Sequence, residues 1–260
     1  MVEPFYAPHQ LAELQGGYYA VNPAYERLLE EYLSLRLTNE VAYEHARHGF
    51  VRRLGTLKRC IENVYSIYLP ERFDKPSRNE CLDLAINLQS FIFNVFGCID
   101  NLAWVWVKEK DIRDKQGRPL RGQKVGLRLG CAAVHESLSS EFRQYLVGRE
   151  PWFEYLEDYR HALAHRIPLY VAPYTLNPAK LNEYNEFERR KNDAHSGRDY
   201  NLWLTLDAKQ EDLGKFTPFM MHSFSERARP VSFHFQVLAD WNTVVEMADN
   251  FLQELRKLTS

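Results

Sequence analysis

Three residues near the end of one helix-like segment carry the chemistry most worth following: Arg160, His161 and His165, in the run RHALAH. An imidazole titrates close to neutral pH, so it can take or give a proton under ordinary conditions. A guanidinium is a permanent planar cation whose fork matches two phosphate oxygens. The carbonyls of a final helical turn favour a cationic histidine, which suits His165 to proton transfer. Five residues of helix turn through about 140°, so Arg160 and His165 do not share one face.

The segment that must position them is PWFEYLEDYRHALAHRI, with Pro151 at its first turn and Pro168 closing it. Trp152, Tyr155, Leu156, Tyr159 and Leu163 recur at three- and four-residue spacing and define a stripe for the core. A structural reading stands beside the chemical one: Arg160 could pair with Glu154, Glu157 or Asp158, and His165 could cap the helix. A second chemical reading also stays open. Glu157, His161 and His165 are four apart, share a face, and offer two imidazoles and a carboxylate to a transition metal. With His45 or His48 from an earlier segment, that stripe resembles DinB-like metal-binding bundles.

Arg160 to His165 also resembles the R-x4–6-H motif of the HEPN superfamily of helical bundles, with the polar His161 following the Arg. Other Arg/His pairs at allowed spacings (Arg128/His135, Arg190/His195, Arg229/His234) do not sit inside a core-building helix. The resemblance covers about residues 25–170 and 230–258. It implies a metal-independent endoribonuclease that needs no cofactor, with RNA as partner. In the reaction so implied, an RNA 2′-hydroxyl attacks the adjacent phosphorus, His165 is the base or acid, Arg160 clamps the phosphate oxygens, and His161 holds substrate or shares the proton. The resemblance also implies a homodimer whose two motifs face each other, and an antitoxin-like or nucleotidyltransferase partner protein. A non-catalytic helical interaction module is the remaining alternative.

The other elements frame this site. Ser77 with Glu80 signals a capping box that opens the longest apolar run, about Asn79 to Lys110. Asn87, Ser90, Asn94, Cys98 and Asn101 form a polar stripe along it, with Asp100 to one side. That stripe reads either as a helix–helix hydrogen-bond seam or as a lining that holds substrate, for which Asn94 and Asn101 are the candidates. The following loop carries Arg113, Lys115, Arg118, Arg121, Lys124 and Arg128 against Asp114. It is a solvated loop or a contact for RNA phosphates, with Arg121 and Lys124 as the candidates. No Walker-type GK[ST], G-x-S-x-G elbow or zincin motif occurs.

The fold class expected is mainly α: an HEPN-like bundle with a charged helix and a small β-hairpin inserted before the last helix. Residues 1–22 read as an irregular arm, 23–168 with 230–260 as the bundle, and 169–229 as the insertion. In the insertion, 178–195 reads as a charged helix, 200–206 (YNLWLTL) as a strand, and 216–224 as its partner. A net charge of −2 excludes a uniformly basic surface. The four cysteines lie far apart and read as reduced core residues, which with the absence of a signal-like start points to the cytoplasm. The apolar run FIFNVFGCIDNLAWVWV contains Asn94, Asp100 and Asn101, so it reads as a buried helix and no membrane is expected.

Overall fold

The computed structural model describes residues 5–223 and 229–257. Ten α-helices among them build a mainly α bundle. At its centre runs α4, Arg78–Glu109, opened by the capping box expected at its start. Ser77 Oγ accepts from the Glu80 N–H at 3.2 Å and Glu80 Oε2 accepts from the Ser77 N–H at 2.7 Å. Leu84, Leu88, Ile92, Val95, Leu102, Val105 and Trp106 are buried along it. It packs against α3 (Val51–Ile67), α10 (Phe233–Arg256) and α7 (Glu150–His165), among other segments. Among the described residues α4 is the one helix long and apolar enough to cross a membrane, and part of that stretch is buried in the bundle.

The first helix, α1, spans Pro8–Leu33, so residues 8–22 are helical where an irregular arm was expected. Residues 1–4 lie outside the described residues. Two features explain the difference. Leu14, Val21, Leu28 and Tyr32 form one buried stripe that runs straight through Pro23. Gly17 is a packing position rather than a breaker, because a Cβ there would meet Leu238 Cδ1 of α10 at 2.8 Å. After α2 (Glu40–Glu44) the chain widens into one π-helical stretch, His45–Phe50, before α3. Such a bulge turns side chains out of normal register.

Beyond α4 come two short helices, α5 (Ala132–Ser137) and α6 (Ser140–Val147), then α7. Residues 169–223 hold α8 (Leu181–Ser196) packed on α9 (Tyr200–Asp212), flanked by short strands. The expected strand YNLWLTL is therefore helical. Asp199 caps it by accepting from the Leu202 N–H at 3.0 Å, and Leu206 and Gln210 bury a helical face against α8. Local capping and helix packing outweigh the alternating pattern.

The strands that do form are two or three residues long. β1 (Tyr170–Val171), β4 (Phe219–Met221) and β5 (Val231–Ser232) make one antiparallel sheet, with Val171 opposite Met220 and Met220 opposite Val231. β2 (Thr175–Leu176) pairs with β3 (Gly214–Lys215). Phe216–Phe224 thus pairs with the ends of other segments instead of with YNLWLTL; Phe224 itself, like Leu258 of the expected last helix, lies outside the described residues.

Candidate functional site

Helix α7 is pinned along its inner face by Phe153, Leu156, Tyr159 and Ala162, with Trp152, Tyr155 and Leu163 on the flanks of that stripe. Its first turn is tied to α10, where buried Asp240 accepts from Trp152 Nε1 at 2.8 Å. At the far end the helix stops at His165, three residues before Pro168, so His165 is its last helical residue. His161 and His165 are exposed, with ring centroids 6.5 Å apart. His161 Nε2 lies 4.0 Å from Glu157 Oε1, and Glu157 is bound by Arg128.

Arg160 turns the other way. Its guanidinium lies 4.3 Å from the centroid of the Phe96 ring on α4, a cation–π arrangement that holds the fork in place. Its Nε is buried, and among the described residues it has no hydrogen-bond partner and Arg160 forms no ion pair. Asp100, one turn along α4 from Phe96, feels its charge: burial pushes the Asp100 carboxyl up to about 6, against the pull of Arg160 and Arg53. The structure therefore brings Arg160 together with Phe96 and Asp100, and leaves His161 and His165 on an outward stripe with Glu157.

Asn94 and Asn101 belong to a third grouping. Both accept from Arg53 of α3, Asn94 Oδ1 from Nη1 and Asn101 Oδ1 from Nε, each at 3.1 Å. Their amide nitrogens are also engaged, Asn94 on the Ser90 carbonyl at 2.8 Å and Asn101 on His45 Nδ1 at 3.2 Å. His45 stacks on Trp104, and burial lowers its affinity for a proton. Two glycines make room: a Cβ at Gly97 would collide with the Arg53 guanidinium, and one at Gly49 with Asn101. Arg53 went unnoticed in the sequence, although a mid-helix glycine flanked by two asparagines on one face is the signal of a bulky polar partner.

The basic loop is folded. Arg113 bridges to Pro119, Asp114 accepts from the Gln116 and Arg118 N–H groups at 2.9 Å, and Gly117 takes a positive φ of 75°. Buried His135 donates from Nε2 to the Leu127 carbonyl at 2.6 Å and fastens the loop's far end. Arg113 and Arg118 are paired with Asp111 and Asp114, whereas Arg121 and Lys124 form no ion pair among the described residues. Those two line a cleft of about 500 Å³. A second cleft, of about 340 Å³, lies between α4, α7 and the loop, with Asp100, Gln123, Arg128 and Glu157 as its polar lining. The two clefts share Gly130 and Cys131.

The Glu157, His161, His165 stripe is not gathered as a ligand set. Among the described residues no group of three or more His, Cys, Asp or Glu is placed to hold a metal ion, and His45 is committed to Asn101 and Trp104. One further histidine could not have been read from sequence. His222, isolated in Met221-His222-Ser223, is buried with Nε2 3.0 Å from Asp158 Oδ2, and Asp158 also receives Arg166 at 2.6 Å. This contact anchors β4 to α7 just behind the exposed histidines. The cysteines form no disulfide.

Fold and site thus define a mainly α helical bundle with a half-buried arginine and two exposed histidines on α7, and a basic cleft in the loop after α4. No family model, curated protein or solved structure matches the chain.

Proposed function

We propose that the chain is an HEPN-like RNA-binding protein that cleaves RNA without a metal, acting as a cytosolic homodimer. The observation that carries this reading is Arg160: a guanidinium stacked on Phe96, which lines a cleft, with a buried Nε that bonds nothing among the described residues. An arginine that folding orders but leaves uncommitted is preorganised for an anion, and a phosphodiester fits its planar fork.

In the reaction, His165 takes the proton of the ribose 2′-hydroxyl. The 2′-oxygen–phosphorus bond forms and the phosphorus–5′-oxygen bond breaks. The leaving 5′-oxygen receives a proton from His161 or from a histidine of the second copy. Arg160 neutralises the charge that builds on the phosphorane oxygens. Arg121 and Lys124 contact flanking phosphates. Asn94 and Asn101 act by fixing Arg53 beside Asp100, instead of touching RNA themselves.

A dimer is supported by the outer face of α4. Leu82, Ile86 and Phe93 are exposed there at 60%, 55% and 42% and fall on the same helical face as Phe96. A second copy seated on that stripe would bring a second α7 end close to the first, which answers the 140° separation of Arg160 and His165 within one chain.

The test is cleavage of a mixed, end-labelled RNA in excess EDTA. The wild-type protein should cut, and His165→Ala should lower the rate by about 10²–10⁴-fold, the range of acid–base catalysis. Equal cleavage by wild type and His165→Ala would refute the assignment.

A further inference from the structure

The 340 Å³ cleft between α4, α7 and the loop holds a polar group that the proposed reaction does not use. Asp100 has no hydrogen-bond or ion-pair partner among the described residues, yet it is half-buried and lines this cleft. An ionised carboxylate only accepts, and its two oxygens suit two donors set side by side. Leaving such a group unpaired in a partly dry site is costly, so a ligand offering paired donors would bind there with gain.

Around it the walls are apolar, with Phe96, Ile99, Val125, Leu127, Phe153 and Leu156, as a flat ring requires. The volume lies at the lower end of the range for small-molecule sites, about 300–1,000 Å³. Arg128 on the rim is neutralised by Glu157 and Glu150, so the rim carries no net attraction for anions. The adjoining cleft is the opposite: Arg121 and Lys124 stand there without carboxylate partners among the described residues, on the far side of Gly130 and Cys131. One ligand across both clefts must therefore carry a ring with paired donors at one end and an anion at the other.

We propose that the paired clefts form a guanine-nucleotide site, Asp100 accepting from N1–H and the N2 amine while Arg121 and Lys124 take the phosphate. Of the RNA bases, guanine alone offers two adjacent donors on its Watson–Crick edge. Adenine and cytosine pair one donor with an acceptor, and uracil places one donor between two acceptors. The proposal rests on the RNA reading in one respect: within a strand, this site would select guanosine next to the phosphate held by Arg160.

Calorimetric titration of the full chain with 5′-GMP, 5′-AMP and guanosine tests the site without any cleavage. GMP should bind at least tenfold more tightly than AMP. Asp100→Asn should bring GMP down to the AMP level and leave AMP unchanged. The double variant Arg121→Ala/Lys124→Ala should weaken both nucleotides and spare guanosine. Equal binding of GMP and AMP by the wild-type protein, or no binding of either, overturns the site irrespective of how the variants fold. His165→Ala should retain the guanine preference. Guanine selectivity without RNA cleavage would thus refute the nuclease alone, and cleavage without guanine selectivity the cleft alone.

Discussion

Asp240 of α10 is fully buried, and its carboxyl is the deepest acid in the bundle. Trp152 Nε1 and Gln236 Nε2 both donate to its Oδ1, at 2.8 and 2.9 Å, while Oδ2 has no partner among the described residues. Burial raises the carboxyl from its ordinary 3.8 to about 7, against those two hydrogen bonds. At ~1.4 kcal/mol per pH unit, the gap is worth about 4 kcal/mol. The sign follows from proton counts. Between pH 4 and 7 the folded protein holds a proton that the unfolded chain has released, so stability falls as pH rises. The penalty is absent below the unfolded value and complete above pH 7. Asp240→Asn removes it, because the amide oxygen still accepts from Trp152 and Gln236. Urea unfolding of both proteins at pH 5 and pH 8 measures the effect. The variant should gain on wild type by about 3 kcal/mol more at pH 8 than at pH 5, because about a third of the penalty already applies at pH 5. A difference that does not change with pH would refute the reasoning. The consequence reaches the site, since the Asp240–Trp152 bond ties the first turn of α7 to α10.

Gly97→Ala should drive its new methyl into the Arg53 guanidinium and displace it from Asn94 and Asn101, costing about 1–3 kcal/mol in urea unfolding; no loss would show that Arg53 is not held as described. If the proposed dimer forms through the exposed α4 stripe, Ile86→Glu puts a charge in that stripe and should halve the mass seen in light scattering; a dimeric mass that the variant keeps would refute that placement. Buried His234 donates from Nε2 to the Tyr68 carbonyl and accepts from Tyr6 at Nδ1, and burial lowers its titration to about 4. Its neutral form is required in the fold, so the stability it carries is full above pH 6.5 and lost as pH falls toward 4, by about 3 kcal/mol in all. His234→Gln should flatten that acid limb, and an unchanged slope would contradict the burial argument.

Parts of this fold were legible because a short stretch of sequence decides them. Ser77 and Glu80 announce the start of α4, and Pro151 and the aromatic spacing announce α7. The irregular arm expected over residues 1–22 is helical from Pro8, because tertiary burial of Leu14, Val21, Leu28 and Tyr32 carries α1 through Pro23, a residue that locally disfavours a helix. YNLWLTL misled for a related reason: its alternation was real, but Asp199 and the α8 surface chose a helix. At the site, Arg160, His161 and His165 were visible as types at a spacing. That Arg160 turns to Phe96 and Asp100 while the histidines face out depends on where α4 crosses α7, which no local pattern encodes. Arg53 and His222 are long-range partners and left only indirect traces, or none, in their own neighbourhoods.

Attack by the 2′-hydroxyl leaves a chemical signature that the central claim cannot avoid. Mass spectrometry of the fragments released by wild-type protein in EDTA should find 2′,3′-cyclic phosphates on one side of each cut and 5′-hydroxyls on the other. The same fragments should be lost with Arg160→Ala. Fragments carrying 5′-phosphates, or cyclic ends that persist in Arg160→Ala, would contradict the account.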